Sequence, residues 1–327
     1  MIRTLATLAA LTFAQPALAQ ASAAVASGKV APSPLSPGEI VAAAPQAEWV
    51  RIAPSDLLVM DLAPGAKDRR RRVVIQLMPP PFSQGWIGNI RKLVAAHWWD
   101  GLSVNRVQDN YVAQWGDADG EDKAKAKALP AGLQKPSEAD YTAPTRLVRM
   151  IDKPPRRGVV RVGDANVVQG DAYADFAEFD RGWPLGSDGG RDWPIHCYGM
   201  VGVGRNLSPD TGSGAELYAV IGHAPRHLDR NIALVGRVIE GIEHLSSLPR
   251  GTGALGFFET PEERTRILSI RLGPEVPGLP AYEYLSTESA TFARYADARA
   301  NRRDPFFIKP AGGADICNIP VPVRRVK

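Results

Sequence analysis

Residues 71–117, RRVVIQLMPPPFSQGWIGNIRKLVAAHWWDGLSVNRVQDNYVAQWGD, set the order of secondary structure that this sequence predicts. The stretch opens with a β-branched run at 72–78 that predicts a strand. Consecutive prolines end this strand, because proline cannot donate to a strand ladder. Ser83 is a predicted helix N-cap. Apolar residues then recur at helical spacing and give the helix one apolar face: Ile87, Ile90, Leu93 and Val94.

Short runs with strand character dominate the remaining sequence. Two of them, 102–107 and 111–115, follow the helix directly, and another precedes the quoted stretch at 56–62. Further runs lie at 156–162, 196–203, 215–221, 233–238 and 266–272. In the last run, alternation predicts that Leu268, Ile270 and Leu272 face a core. Together with 28 prolines and 31 glycines, this pattern predicts a mainly β fold.

The first 19 residues predict a secretory signal peptide. A single positive charge at Arg3 precedes a mainly apolar run at 5–13, and Ala17, Leu18 and Ala19 have the small-x-small pattern of a cleavage site. A membrane anchor is the weaker interpretation, because the apolar run is far shorter than the ~20 residues that span a bilayer. We therefore expect cleavage after Ala19 and export, with a bacterial periplasm as the location.

Composition divides the rest of the chain into three parts. Residues 20–50 are rich in Ala, Ser and Pro and predict a flexible leader. Residues 51–275 form the predicted β domain, with an insertion at about 118–195, and 276–327 form a C-terminal extension. The net charge of +4 is mild for this length and gives no reason to expect a nucleic-acid partner. No later segment is long and apolar enough for a transmembrane helix, and we expect a monomer.

The two cysteines, Cys197 and Cys317, are a candidate disulfide, because an isolated pair in an oxidising compartment commonly forms one. Two buried thiols are the alternative. His223 and His227 are four residues apart, but Pro225 lies between them and argues against a helical metal pair. The sequence also lacks cysteine pairs at metal-ligand spacing, a dinucleotide motif and a nucleophile elbow, so we expect no metal and no cofactor.

The end of the quoted stretch resembles the cyclophilin family of peptidyl-prolyl cis–trans isomerases. That family has the patterns Y-D-G-x-x-F-x-R-V and F-x-x-Q-G-G-D. The matching residues are Trp99, Asp100, Gly101, Leu102, Val104, Arg106, Val107, Tyr111, Gln114, Gly116 and Asp117. Trp115 stands where a glycine is usual. Later matches extend the resemblance over about 56–272, and it implies a closed eight-stranded antiparallel β-barrel capped by two helices.

In cyclophilins one arginine stabilises the twisted peptide bond, and the resemblance assigns this catalytic role to Arg106. A guanidinium is always charged and offers a rigid fork of donors, which suits an imide nitrogen that gains a lone pair as the bond rotates. On spacing alone, a surface salt bridge would explain Arg106 better, since 39 Lys and Arg residues compete. The resemblance places Tyr111 and Tyr218 at family phenylalanine positions. In all, it implies substrate binding by Gln114, Tyr111, Val112, Glu216, Leu217, Tyr218, His227, Leu228 and Ile232.

Two functions follow from this resemblance and remain open at this point. The first is a peptidyl-prolyl isomerase, or rotamase, that assists the folding of exported, proline-containing polypeptides. The second is a cyclophilin-like peptide-binding module or chaperone with little or no turnover. Arg106 and Gln114 favour the isomerase. Glu216 stands in place of a family glutamine, and His227 and Ile232 replace residues that are commonly Trp and His, so these three positions favour the binding module.

Overall fold

Eight antiparallel strands close into a barrel, which confirms the predicted fold. The computed structural model describes residues 33–65, 68–145, 158–162, 165–169 and 171–326. In chain order the described strands are β1 (Trp49–Arg51), β2 (Leu57–Leu62), β3 (Arg71–Leu77), β4 (Ser103–Val107), β5 (Val112–Gly116), β6 (Ala143–Pro144), β7 (Gly158–Val162), β8 (Ala165–Gln169), β9 (Phe176–Asp180), β10 (Trp183–Ser187), β11 (Arg191–Pro194), β12 (Met200–Val203), β13 (Leu217–Val220), β14 (Leu234–Glu240), β15 (Thr265–Leu272), β16 (Tyr282–Leu285) and β17 (Val323–Arg325). The described helices are α1 (Pro37–Ala42), α2 (Gln84–Ala95), α3 (Glu243–Ser246) and α4 (Ala290–Ala300).

The barrel strands run in the order β12-β13-β5-β4-β15-β2-β3-β14, and β14 pairs with β12 to complete the ring. Helices α2 and α3 lie against it, beside β15 and β3 respectively. Successive side chains of a strand point to opposite faces, so each strand sends alternate residues inward. Val104, Ala113, Trp115 and Leu217 are among the inward residues that form the apolar core. The residues between them face outward and are available for a surface site.

Helix α2 begins directly after Ser83, as predicted, and its buried side chains include the whole predicted apolar face. Ser83 has a left-handed backbone with φ +58°, and its side chain makes no capping hydrogen bond to the described helix. Trp86 and Asn89 are buried as well. The indole nitrogen of Trp86 donates to the backbone oxygens of Thr211 at 3.0 Å and Gly212 at 2.9 Å. Helix α2 thereby fixes the loop that precedes β13.

The alternation predicted for β15 is wrong at Leu268, which is exposed. A β-bulge lies between Ile267 and Ser269, where the pairing with β2 shifts. An extra residue in a strand changes which side chains face the core. Ile267 therefore joins the predicted Ile270 in the core, while Leu272 is only partly buried.

The predicted insertion contributes all six strands of a second sheet, which has the order β6-β11-β10-β9-β8-β7. The strand predicted at 156–162 is described from Gly158 onward, and residues 146–157 lie outside the described part. Phe179 of β9 contacts Phe292 of α4, with ring centroids 5.0 Å apart. The backbone oxygen of Gly182 accepts a hydrogen bond of 2.6 Å from Arg237 of β14. The insertion thus packs against both the barrel and the C-terminal extension.

Residues near both ends of the described chain form a third sheet, with the order β1-β16-β17. Helix α1 packs on α4 and buries Ile40. The guanidinium of Arg324 stacks on the Trp49 ring at 3.7 Å and pairs with the buried Glu283 at 2.7 Å. Residues 37–50 contain helix α1, a 3-10 turn and the start of β1, so the predicted flexible leader is wrong there. The predicted signal peptide and leader residues 20–32 lie outside the described residues.

Cys197 and Cys317 form a disulfide, as predicted. Cys197 lies shortly before β12, and Cys317 lies in a 3-10 turn at Ile316–Asn318. The bond ties the C-terminal extension to the barrel. Within the described residues, the helices are all too short or too polar to cross a membrane.

Reduction of this disulfide should lower the stability of the fold. The bond joins residues 120 positions apart, and in the chain-entropy model a loop of this length contributes about 4–5 kcal/mol. We expect a reducing agent to lower the melting temperature of the wild type to that of a Cys197→Ser/Cys317→Ser variant, followed by circular dichroism. The variant itself should not respond to the reducing agent. Two alkylatable thiols in the unreduced, denatured wild type would contradict the bond.

Candidate active site

A β-bulge in β4 directs two consecutive side chains toward the same cavity. Strand β4 pairs with β5 so that Val104 lies opposite Trp115 and Arg106 opposite Gln114, which leaves Asn105 as the extra residue. Bulges of this kind redirect side chains beside many functional sites. Asn105 and Arg106 consequently both line the cavity, together with Gln114.

Three acceptors hold the side chain of Arg106. Its Nε donates to the backbone oxygen of Leu255 at 2.8 Å, its Nη1 donates to Gln114 Oε1 at 3.1 Å, and its Nη2 donates to Gln108 Oε1. A guanidinium has more N–H donors than these, so the described residues leave donors for a bound peptide. Burial lowers the pKa of the Arg106 guanidinium. An arginine nevertheless stays charged, because its pKa starts far above neutral.

The polar contacts continue from Gln114 to Glu216. Gln114 Oε1 accepts from Arg106, so its amide nitrogen is left to donate to the Glu216 carboxyl. Glu216 Oε1 also accepts from the backbone nitrogen of Asp117 at 2.7 Å, and the Asn105 side chain is a further partner. Burial raises the pKa of Glu216 to about 7, which these hydrogen bonds offset only in part. Near neutral pH this carboxyl is therefore a mixture of the ionised and protonated forms.

Gly116 makes room for the Glu216 carboxyl. Its φ is +155°, and a Cβ at this position would lie 2.1 Å from Glu216 Oε1. Any other residue at 116 would displace the carboxyl. Trp115, which stands where the family usually has a glycine, points into the barrel core instead and is fully buried. That departure from the family pattern leaves the cavity wall unchanged.

An apolar cup lies beside Arg106. Five of the predicted substrate-binding residues line it: Tyr111, Val112, Tyr218, Leu228 and Ile232. Four of them, Tyr111, Val112, Tyr218 and Ile232, pack in one cluster with the buried Val220. The Tyr111 ring centroid is 5.6 Å from the guanidinium carbon of Arg106. A small apolar ring in the cup would thus have a fixed cation at its edge.

Two predicted substrate-binding residues lie elsewhere. Leu217 is fully buried in the barrel core, because strand alternation turns it away from the face that carries Glu216 and Tyr218. Its assignment to substrate binding is therefore wrong. His227 is exposed and stacks on Tyr111, with ring centroids 6.5 Å apart and an interplanar angle of 14°. It lies at the rim and does not line the cavity.

Two walls of the cavity lie outside the predicted set. The first is a glycine-rich loop at 251–257, whose Phe257 ring lies 5.3 Å from the Arg106 guanidinium carbon. Gly256 has φ +79° and packs on the backbone of Gln108. In the sequence, several glycines that lead into an aromatic residue are the signal for a loop of this kind. The second wall comes from segments 117–129 and 204–213. The whole cavity, with the cup, the polar residues around Arg106 and these two walls, has a volume of about 600 Å³.

A family model described as cyclophilin type peptidyl-prolyl cis-trans isomerase/CLD matches residues 81–272, which is more than half of the chain. The chain belongs to this family. Its enzymatic activity is accordingly that of a peptidyl-prolyl cis–trans isomerase. No curated protein matches the sequence of this cyclophilin.

The fold of this cyclophilin is similar to that of cyclophilin AquaCyp293 from Hirschia baltica. The TM-score is 0.59 at 19% sequence identity, over 85% of this chain and 94% of that one. A cyclophilin type peptidyl-prolyl cis-trans isomerase from Cryptosporidium parvum matches over 66% of this chain and 97% of its own, at 10% identity and a TM-score of 0.37. At these identities the first similarity shows a shared fold, and the family match carries the activity.

Glu216→Gln should stabilise this cyclophilin in a pH-dependent way. The pKa of Glu216 is about 7 in the folded protein against an ordinary 4.5, so the folded state binds the proton more tightly than the unfolded state. Stability is therefore lost as the pH rises from about 4.5 through about 7, by about 3 kcal/mol in all. The neutral amide of the variant does not titrate and escapes this loss. Urea unfolding should show the variant clearly more stable than wild type at pH 8.5 and similar to it at pH 4.5.

The matched control for this prediction is Glu262→Gln, which replaces an exposed glutamate. Its effect on the free energy of unfolding should be small at both pH values, because exposed charges contribute little. The raised pKa of Glu216 would be contradicted if the free energies of unfolding of wild type and Glu216→Gln differed by the same amount at pH 4.5 and at pH 8.5.

Proposed function

We propose that this cyclophilin speeds the cis–trans isomerisation of X-Pro bonds in exported polypeptides, with Arg106 as the catalytic residue. One observation carries the proposal: three acceptors fix the Arg106 guanidinium beside a cup lined by aromatic and aliphatic side chains. Gln114 adds a polar group next to the same cup and orients Arg106.

The chemistry requires no covalent step. A peptide bond rotates past a barrier of ~18–20 kcal/mol, and an unassisted X-Pro bond takes roughly tens to hundreds of seconds. As the bond twists, resonance is lost and the imide nitrogen gains a lone pair. A donor fixed at that position stabilises the twisted state more than either planar state, and this difference is what accelerates the reaction.

The surroundings of Arg106 suit it to this role. Leu255, Gln114 and Gln108 hold the guanidinium before substrate arrives, so little reorganisation is needed during the reaction. The aromatic rings of Tyr111 and Phe257 flank it and shield part of the guanidinium from solvent, which strengthens a hydrogen bond that it donates. The cup holds the proline ring itself, in planar and twisted states alike.

Arg106→Ala should remove most of the catalysis. Loss of one positioned electrostatic donor typically costs a factor of ~10²–10³ in rate, or about 3–4 kcal/mol of transition-state stabilisation. In a proline tetrapeptide assay we expect kcat/KM to fall by this factor, mainly through kcat. The circular dichroism spectrum should be unchanged, because Arg106 lies on the outward face of the barrel.

Arg303→Ala is the matched control, since Arg303 is exposed and its ion pair with the exposed Asp297 is long, at 3.4 Å. It should keep the wild-type rate. If Arg106→Ala retains the wild-type rate too, the assignment of Arg106 is wrong. If the wild type binds proline peptides without accelerating their isomerisation, the chain acts as the peptide-binding module that Glu216 favours.

Export of the chain is a second part of the proposal. The N-terminal apolar run and the Ala-Leu-Ala pattern support it, and so does the Cys197–Cys317 bond, because such bonds persist in oxidising compartments. Expression of the full sequence in a bacterial host should yield a periplasmic protein that begins at Gln20, as measured by intact mass. An uncleaved protein confined to the cytoplasm would contradict export.

A further inference from the structure

A chain of buried polar groups runs from the apolar cup toward the insertion. The Tyr218 hydroxyl lies 2.9 Å from His196 Nε2, and His196 Nδ1 lies 2.8 Å from Asp229 Oδ1. None of these three residues is more than 5% exposed. Because Asp229 is an acceptor, Nδ1 carries the proton. The hydroxyl of Tyr218 can bond Nε2 in either charge state of the imidazole, since a hydroxyl both donates and accepts.

Arg226 continues this chain into the insertion. Its Nε donates to Asp229 Oδ2 at 2.6 Å, and its Nη1 and Nη2 donate to the two carboxylate oxygens of Asp171 at 2.6 and 2.9 Å. The side chains of all three residues are buried. A buried guanidinium is tolerated only when it is paired in this way, because an unpaired buried charge is costly. Asp171 is thus the insertion's contribution to the network.

The network fixes two walls of the cup. The Tyr218 ring lies on the backbone of Gly202, where a Cβ would come within 2.3 Å of both its Cζ and its hydroxyl oxygen. His196 holds the hydroxyl end of the same ring. A phenylalanine, which the family usually has at this position, could not make that bond. Asp229 directly follows Leu228, so the residue that orients His196 also anchors the second wall.

We propose that His196 is a positioning residue of this isomerase, which holds the Tyr218 ring in the orientation that receives the substrate proline. Asp229, Arg226 and Asp171 hold His196 in turn. The proposal rests on the proposed function of the cup. The cup contacts the proline ring in planar and twisted states alike. A change in the shape of the cup therefore weakens the binding of both states to the same extent. Such a loss raises KM and leaves kcat nearly unchanged, in contrast to the loss of Arg106.

The experiment measures kcat and KM separately for Tyr218→Phe, His196→Ala and their combination in a proline tetrapeptide assay. We expect KM to rise about threefold for Tyr218→Phe and about tenfold for His196→Ala, with kcat within about twofold of wild type. The combined variant should match His196→Ala, because the hydroxyl has already lost its partner. Asp171→Asn keeps the side-chain size, removes the charge at the far end of the network, and should raise KM about threefold.

A binding measurement separates positioning from general destabilisation. In an Arg106→Ala background, calorimetric titration with an Ala-Pro tetrapeptide should show Kd rising in the same proportion as KM did. His244→Ala is the matched control, since it removes a histidine on α3 that the site does not contact. Should His196→Ala fail to fold, Tyr218→Phe and Asp171→Asn still decide the question through KM and Kd.

Four outcomes count against these ideas. If the folded variants lose kcat at an unchanged KM, or if the two single effects add in the combined variant, His196 does not position Tyr218. If the wild type is active and every variant keeps the wild-type KM and Kd, this inference alone fails. If the wild type neither binds nor isomerises proline peptides, the proposed function fails and this inference falls with it.

Discussion

Closure of the barrel imposes one constraint on the functional side chains that the strands carry: each must leave its strand on the outward face. Strands β5 and β13 meet this constraint by simple alternation, with Gln114 and Tyr218 outward. Strand β4 cannot, because Asn105 and Arg106 are neighbours and both line the cavity. The bulge at Asn105 resolves the conflict. Without the extra residue, one of the two would enter the core, and the arrangement of acceptors around the guanidinium would be lost.

Much of the fold could be predicted from the sequence, because the deciding residues are close together along it. Arg106 and Gln114 lie on strands joined by a short turn, and neighbouring family patterns cover both residues. Leu217 shows the limit of a motif match, since residue-by-residue agreement takes no account of strand alternation. The contacts of Arg106 with Leu255 and of His196 with Asp229 span long stretches of chain. Only the folded barrel brings such pairs together, and no local pattern indicates them.

Two polar networks border the same cup, and they differ in exposure. Arg106, Gln114 and Glu216 face a cavity open to solvent, where a carboxyl with a pKa of about 7 changes charge near neutral pH. The network of His196 is closed, and its ionic groups are paired with one another. The first network is therefore suited to change its charge with pH, whereas the second is suited to hold a ring in place. Glu216, which departs from the family pattern, belongs to the first network, and Tyr218, which also departs from it, belongs to the second.

The pairing of β1 with β16 determines when this protein can finish folding. Strand β1 lies near the start of the described chain and its partner near the end, and the barrel itself closes only when β15 joins β2 and β4. A ribosome releases the early strands long before these partners exist. Their apolar faces therefore stay exposed to association with other chains until the partner strands have been synthesised. High contact order also slows the search that follows. By its topology, this catalyst of protein folding can complete its own fold only late.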